Sequence, residues 1–250
     1  MTISNEARSR VKAAFEPVAL ALGRLGLTPD ALTLAGFVIT VVAAVLLAAG
    51  QWLLGGLVMF FGGAFDMLDG TLARATGRVS RLGAFMDSVF DRWGETLVYL
   101  GIAIGCARPS FAGAPFLLGT VLAAAAMGAA FMVSYVRAKS EGLGFSTGTG
   151  MAEVGVMPRE VRLVVLALGL VLAGLTSWLG GAGAPSSGSG GLIVLGFGVD
   201  LAAGEGWLAL ALALIAILAT VTVIQRILVV RRQAATIAAA EAATGTRRGS

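Results

Sequence analysis

The sequence predicts an all-α integral membrane protein, with six transmembrane helices preceded by an amphipathic surface helix. Three observations lead there. Of 250 residues, 57% are hydrophobic and only 13% charged, whereas a soluble domain carries about a quarter charged residues. Mean hydropathy is +0.90. The apolar residues fall in long runs rather than in the short alternating segments of a membrane β-barrel. Small residues crowd those runs, 36 glycines among the whole chain, as expected where helices pack closely inside a bilayer.

Residues 1–26 read as the surface helix on the cytoplasmic side. Phe15, Val18, Leu22 and Leu25 recur at helical spacing, with Arg8, Lys12, Glu16 and Arg24 among them, the pattern of a helix lying in the interface. The stretch lacks the short apolar core and cleavage site of a signal peptide. Gly26 ends it, and Thr28-Pro29-Asp30 carries the cap and first-turn signals of the next helix. Six spans follow in a domain expected over 27–232: about 31–49, 52–69, 82–106, 115–136, 161–179 and 207–230. A Gly/Ser-rich loop with a short apolar insert occupies 180–206. Residues 233–250 read as a helix that frays into a flexible tail.

Charge asymmetry orients the spans. With six spans, Arg24, Arg74, Arg78, Arg81, Arg137, Lys139, Arg159, Arg162, Arg226, Arg231 and Arg232 fall on one face and only Arg108 on the other. Lys and Arg mark cytoplasmic loops. A multi-pass protein of the cytoplasmic (cell) membrane is expected, with both termini and the charged site on the cytoplasmic side.

The chain has no His and one Cys, Cys106. Histidine-ligated zinc, Ser-His triads and an intrachain disulfide are excluded. Acid–base or metal chemistry must rest on carboxylates, which favour hard cations such as Mg²⁺ or Mn²⁺. Four aspartates stand where the apolar pattern expects lipid. Asp66 and Asp69 are i, i+3 at the end of the second span, and Asp87 and Asp91 are i, i+4 at the start of the third. Each spacing puts its pair on one helix face. The short connection implies antiparallel neighbours, so the four should meet across one helix–helix seam. Unneutralised, they would repel one another and lose hydration; one or two divalent cations remove both penalties. Gly70, Gly83 and Ala73 leave room beside them, and Arg74 offers a phosphate-pairing cation. Surface ion pairing with Arg74, Arg78, Arg81 and Arg92 is the plain alternative, but phased acidic pairs within membrane helices are functional by default. A cation transporter is the reading of a different class. It would place its charges near the midplane with an exit path, and here they sit at one face.

The string D-x-x-D-G-x-x-A-R-x8-G-x-x-x-D-x-x-x-D, present as Asp66, Asp69, Gly70, Ala73, Arg74, Gly83, Asp87 and Asp91, resembles the signature of the CDP-alcohol phosphatidyltransferases. The resemblance implies transfer of a phosphatidyl group from a CDP-linked lipid such as CDP-diacylglycerol to an alcohol, with release of CMP. It implies two Mg²⁺ or Mn²⁺ ions held by Asp66, Asp69 and Asp87, with Asp91 as a further ligand or as the base for the acceptor hydroxyl. Gly70, Ala73, Arg74 and Gly83 would line the nucleotide pocket, with Asp30 and Thr33 of "GLTPDALT" as further candidates there. A homodimer is common in such a family, and Gly55, Gly56, Gly62 and Gly63 suit either a dimer face or packing within one bundle. Membrane lipid is the expected surrounding, and no nucleic-acid partner is expected. A catalytically dead scaffold would lack an aspartate, and none is missing.

The acceptor must be read elsewhere. "SYVRAKSEGLG" supplies Ser134, Arg137 and Lys139; "MPREVRL" supplies Arg159 and Arg162; "VIQRIL" supplies Gln225 and Arg226. Together these make a basic pocket suited to a phosphorylated acceptor, although each alone is an ordinary positive-inside residue. As a set they are similar to actinobacterial phosphatidylinositol phosphate synthases, which use inositol phosphate. The order Arg137…Lys139 is the reverse of theirs, and Pro158 stands where an acidic residue is expected. Acceptors such as glycerol phosphate or serine, or a CDP-inositol donor, are the alternatives within the family.

Overall fold

Turn signals delimit the helices. The structure, a computed structural model, describes residues 16–108, 115–145, 151, 154–181, 191–194, 197–200 and 204–248. The first half of the expected surface helix and most of the Gly/Ser-rich loop lie outside the described residues. Helix α1 is residues 16–24. The Thr28 side chain caps α2 (Pro29–Ala48), accepting from the Ala31 amide at 3.2 Å. Helix α3 (Trp52–Ala75) runs to a turn at Gly77, whose φ of 67° is left-handed and costs a glycine little. Ser80 caps α4 (Arg81–Ala107), accepting from the Gly83 amide at 2.8 Å. Then follow α5 (Leu117–Gly142), α6 (Arg159–Gly181), an antiparallel hairpin of β1 (Gly191–Val194) and β2 (Phe197–Asp200), and α7 (Glu205–Arg248).

Helices α2 to α7 close into a ring in which the packed neighbours are α2–α3, α3–α6, α6–α7, α7–α5, α5–α4 and α4–α2. Glycines set the tight crossings. A side chain at Gly101 would overlap the Ala44 carbonyl, one at Gly105 the Leu47 carbonyl, and one at Gly174 the backbone of Leu53. Such close approach lets dispersion contacts hold helices that gain no hydrophobic drive from lipid. Gly55, Gly56 and Gly62 face Leu47, Leu170 and Thr40, so they serve packing within the bundle. Outside, Leu34, Val38, Val42 and Val45 form an exposed apolar stripe on α2, a surface suited to acyl chains and costly in water.

Among the described residues, five helices are long and apolar enough to cross a membrane: α2, α3, α5, α6 and α7. Helix α4, the third expected span, is a 27-residue helix packed between α2 and α5, and Asp87, Asp91, Arg92 and Glu95 concentrate charge between its second turn and its middle. The fold is that of an all-helical, multi-pass membrane protein with one small hairpin. The apolar insert of the Gly/Ser-rich loop forms that hairpin, with Val199 buried and β2 against α5 and α7. Helix α7 continues to Arg248. Helix α1 lies against the bundle: Ala19 and Leu22 pack with Leu32, Leu68 and Leu72, while Val18 and Leu25 stay exposed.

One expectation is corrected. The aspartate pairs do not meet across a seam between α3 and α4. Those helices are not packed neighbours; both pack on α2. Glycines of α4 pack it onto α2 instead: a Cβ at Gly101 or Gly105 would overlap the Ala44 or Leu47 carbonyl.

Candidate active site

The first turns of α2 and α4 and the last turns of α3 share one end of the bundle, and the aspartates gather there around α2. Gly36 makes this possible: a Cβ at that position would lie 3.2 Å from Asp66 Oδ1. One turn earlier on α2, the Thr33 hydroxyl donates to Asp69 Oδ2 at 2.5 Å, and Asp69 is 5% exposed. Asp87 is close enough to Asp66 for their charges to interact, and Asp91 close enough to both. Four carboxylates from two helices are thus organised on a third.

Arg159, at the start of α6, completes the cluster. Its Nη2 donates to Asp66 Oδ2 at 2.8 Å and lies 2.9 Å from Asp91 Oδ1. Arg92 Nη1 is 3.8 Å from Asp91 Oδ2 and donates to the Ser88 carbonyl at 2.7 Å. Asp66 and Asp91 border a small cavity also lined by Thr33, Thr40, Glu95 and Arg159. The rings of Phe37 and Phe90, tilted to one another with centroids 4.9 Å apart, line it as well.

An all-oxygen, acidic donor set suits a hard divalent cation, and a cation already stands between Asp66 and Asp91, namely the Arg159 guanidinium. Among the described residues, no three acidic groups close around a single point as they stand. The chemistry of the site therefore fits Mg²⁺ or Mn²⁺, while its side-chain arrangement is the one set by Arg159.

The expected nucleotide residues frame the same end. A Cβ at Gly83 would come 3.5 Å from Asp30 Oδ1, and one at Gly70 would come 3.4 Å from Arg74 Nη1. Asp30 and Arg74 thus lie over the two motif glycines. Ala73 is half-buried on α3.

The expected acceptor residues divide. Arg159 reaches the aspartates. Arg162 is 1% exposed and forks onto Glu95, Nε to Oε1 at 2.8 Å and Nη2 to Oε2 at 2.9 Å. Arg226 is buried too; it donates to the Val154 carbonyl at 3.0 Å and the Val133 carbonyl at 2.6 Å. Arg137 pairs with Glu141 at 2.9 Å on the surface, and Lys139 is exposed. The charges of Arg137 and Arg162 both act on Arg226, so the three helix ends do converge. Ser134 lines a separate cleft between α4 and α5 with Arg92, Thr96 and Tyr99.

Three contributors were not foreseen. Glu95 extends the stripe of Asp87 and Asp91 by one more helical turn, a signal visible in the spacing. Thr222 stands one turn before Arg226 and accepts from the Met157 amide at 3.0 Å. Gly155, with φ of 122°, packs against Thr222. Thr222 and Arg226 thus clasp the segment that leads into Arg159, and nothing local in the sequence announces that.

A six-helix ring with an acidic site at one end is the architecture of a membrane-embedded enzyme acting at the bilayer surface. The pattern describing CDP-alcohol phosphatidyltransferases matches residues 26–187. The chain is 32% identical over 181 residues, 69% of its length, to an archaetidylinositol phosphate synthase of Pyrococcus horikoshii, covering 89% of that protein. It is 32% identical over 249 residues to a phosphatidylinositol phosphate synthase of Streptomyces avermitilis, covering 99% of this chain and 90% of that one. The crystal structure of Mycobacterium tuberculosis phosphatidylinositol phosphate synthase with manganese and citrate superposes with a TM-score of 0.67 at 25% identity, over 86% of this chain and 88% of that one. The same protein has been solved with CDP-DAG bound. The chain belongs to the CDP-alcohol phosphatidyltransferase family and is a transferase.

Proposed function

We propose that this enzyme transfers the phosphatidyl group of CDP-diacylglycerol to a hydroxyl of inositol phosphate and releases CMP. The observation that carries this reading is the gathering of Asp66, Asp69, Asp87 and Asp91 at one bundle end with the Arg159 guanidinium among them. An acidic site for cations beside a basic one for an anionic acceptor is what the reaction requires. The names of the relatives support the acceptor. Clustering of Lys and Arg at this end supports a cytoplasmic active site.

Asp66, Asp69 and Asp87 would hold the divalent ions, with Asp91 beside them; two ions are the expected number. When bound, they would draw charge from the diphosphate and stabilise the departing CMP. The chain's own groups do the rest. Thr33 fixes the rotamer of Asp69 through the 2.5 Å bond. Gly70 and Gly83 let the nucleotide approach backbone, with Asp30 and Arg74 over them. Asp91 takes the proton as the acceptor oxygen bonds to phosphorus and the bond to CMP breaks. Arg159 offers the acceptor phosphate a guanidinium. Arg162 and Arg226 act by holding its surroundings: Glu95 on one side, the 154–157 segment on the other.

An acceptor panel tests the reading. Purified enzyme with radiolabelled CDP-diacylglycerol is offered inositol 1-phosphate, inositol, glycerol 3-phosphate or serine. Product from inositol 1-phosphate well above the others is expected; product from glycerol 3-phosphate alone would overturn the acceptor assignment.

A further inference from the structure

One Arg159 nitrogen spans two helices, touching Asp66 of α3 and Asp91 of α4. The charges of Asp66, Asp91 and Glu95 all act on it, and Asp87 feels it in turn. Its Nε is buried without a partner, so the guanidinium uses only part of its fork here. Arg159 offsets part of the cluster's negative charge and stands between Asp66 and Asp91. The oxygens it engages, Asp66 Oδ2 and Asp91 Oδ1, belong to carboxylates that a divalent ion would need. A dication on those carboxylates and a guanidinium in the same place repel each other and compete for the same lone pairs.

We infer that Arg159 is an exchangeable counter-ion: it holds the two carboxylates in the ion-free enzyme and leaves them when the divalent cation binds. This rests on the metal reading given above and deepens it. The exchange needs only side-chain rotation. The backbone leading into Arg159 is fixed by the bond from the Met157 amide to Thr222 and by Arg226 on the Val154 carbonyl. Release frees the planar fork for an oxyanion, so ion loading and the capture of an anionic acceptor are linked. By reciprocity, each tightens the other.

The test measures Mn²⁺ binding to the purified full-length protein by the loss of the free-ion electron paramagnetic resonance signal. Arg159→Gln, which removes the competing charge, is expected to bind Mn²⁺ about tenfold more tightly than wild type, within the usual range of site-to-site coupling. Equal or weaker binding in a folded variant overturns the exchange. Absence of Mn²⁺ binding in both proteins overturns the metal reading together with it. A structure of the Mn²⁺-loaded wild type provides a check that needs no variant. Arg159 is expected away from Asp66 and Asp91, and retention of both contacts beside a bound ion overturns the inference.

Discussion

Arg162 and Glu95 form a two-pronged ion pair, 2.8 and 2.9 Å long, with side chains 1% and 8% exposed. It ties α6 to α4, which are not packed neighbours in the ring. The pair therefore braces the bundle directly beneath the aspartates. Removing one partner strands a buried charge, at a cost of about 3–5 kcal/mol. Arg162→Ala should show that loss in thermal unfolding in detergent, and Arg162→Met with Glu95→Leu should regain most of it. Equal stability of the single and double variants would argue against a bracing role.

The clasp of Thr222 on Met157 gives a second prediction. Thr222→Val keeps the shape and removes the acceptor for a buried amide, costing about 1–3 kcal/mol. Gly155→Ala should be worse, because a Cβ there both strains the backbone and meets Thr222. If the clasp positions Arg159, Thr222→Val raises the KM for the phosphorylated acceptor while leaving that for CDP-diacylglycerol near wild type. Titrating each substrate separately distinguishes positioning from general loosening.

Asp66→Asn and Asp69→Asn should abolish transfer in proteins that still purify as folded. Chelation should stop the wild type, and Mg²⁺ or Mn²⁺ should restore it. Thr33→Val probes the same site more gently. Groups that orient ligands typically contribute about 10–100-fold in metal affinity, so the half-saturating Mg²⁺ concentration should rise on that scale. Turnover retained in Asp66→Asn would reject the metal assignment.

Asp91→Asn should bind CDP-diacylglycerol yet fail to turn it over, with kcat lower by at least about 10²–10⁴-fold, the usual contribution of a general base. Lipid binding measured alongside turnover separates this from loss of the donor site.

The amino-acid sequence alone determined the membrane class, the helix start at Thr28, and the composition of the acidic site. These follow from local properties: hydropathy over a window, capping side chains, and fixed spacing within one helix. The ring order was decided by tertiary packing. Contacts such as those of Gly101 and Gly105 with the carbonyls of Ala44 and Leu47 hold α4 against α2. The fate of the arginines was decided there as well. Arg159 and Arg162 are three residues apart with the same chemistry, but one meets Asp66 and Asp91 while the other meets Glu95. A charge in the sequence states what it can pair with; which partner it finds depends on the helices that bring an opposite charge within about 3 Å.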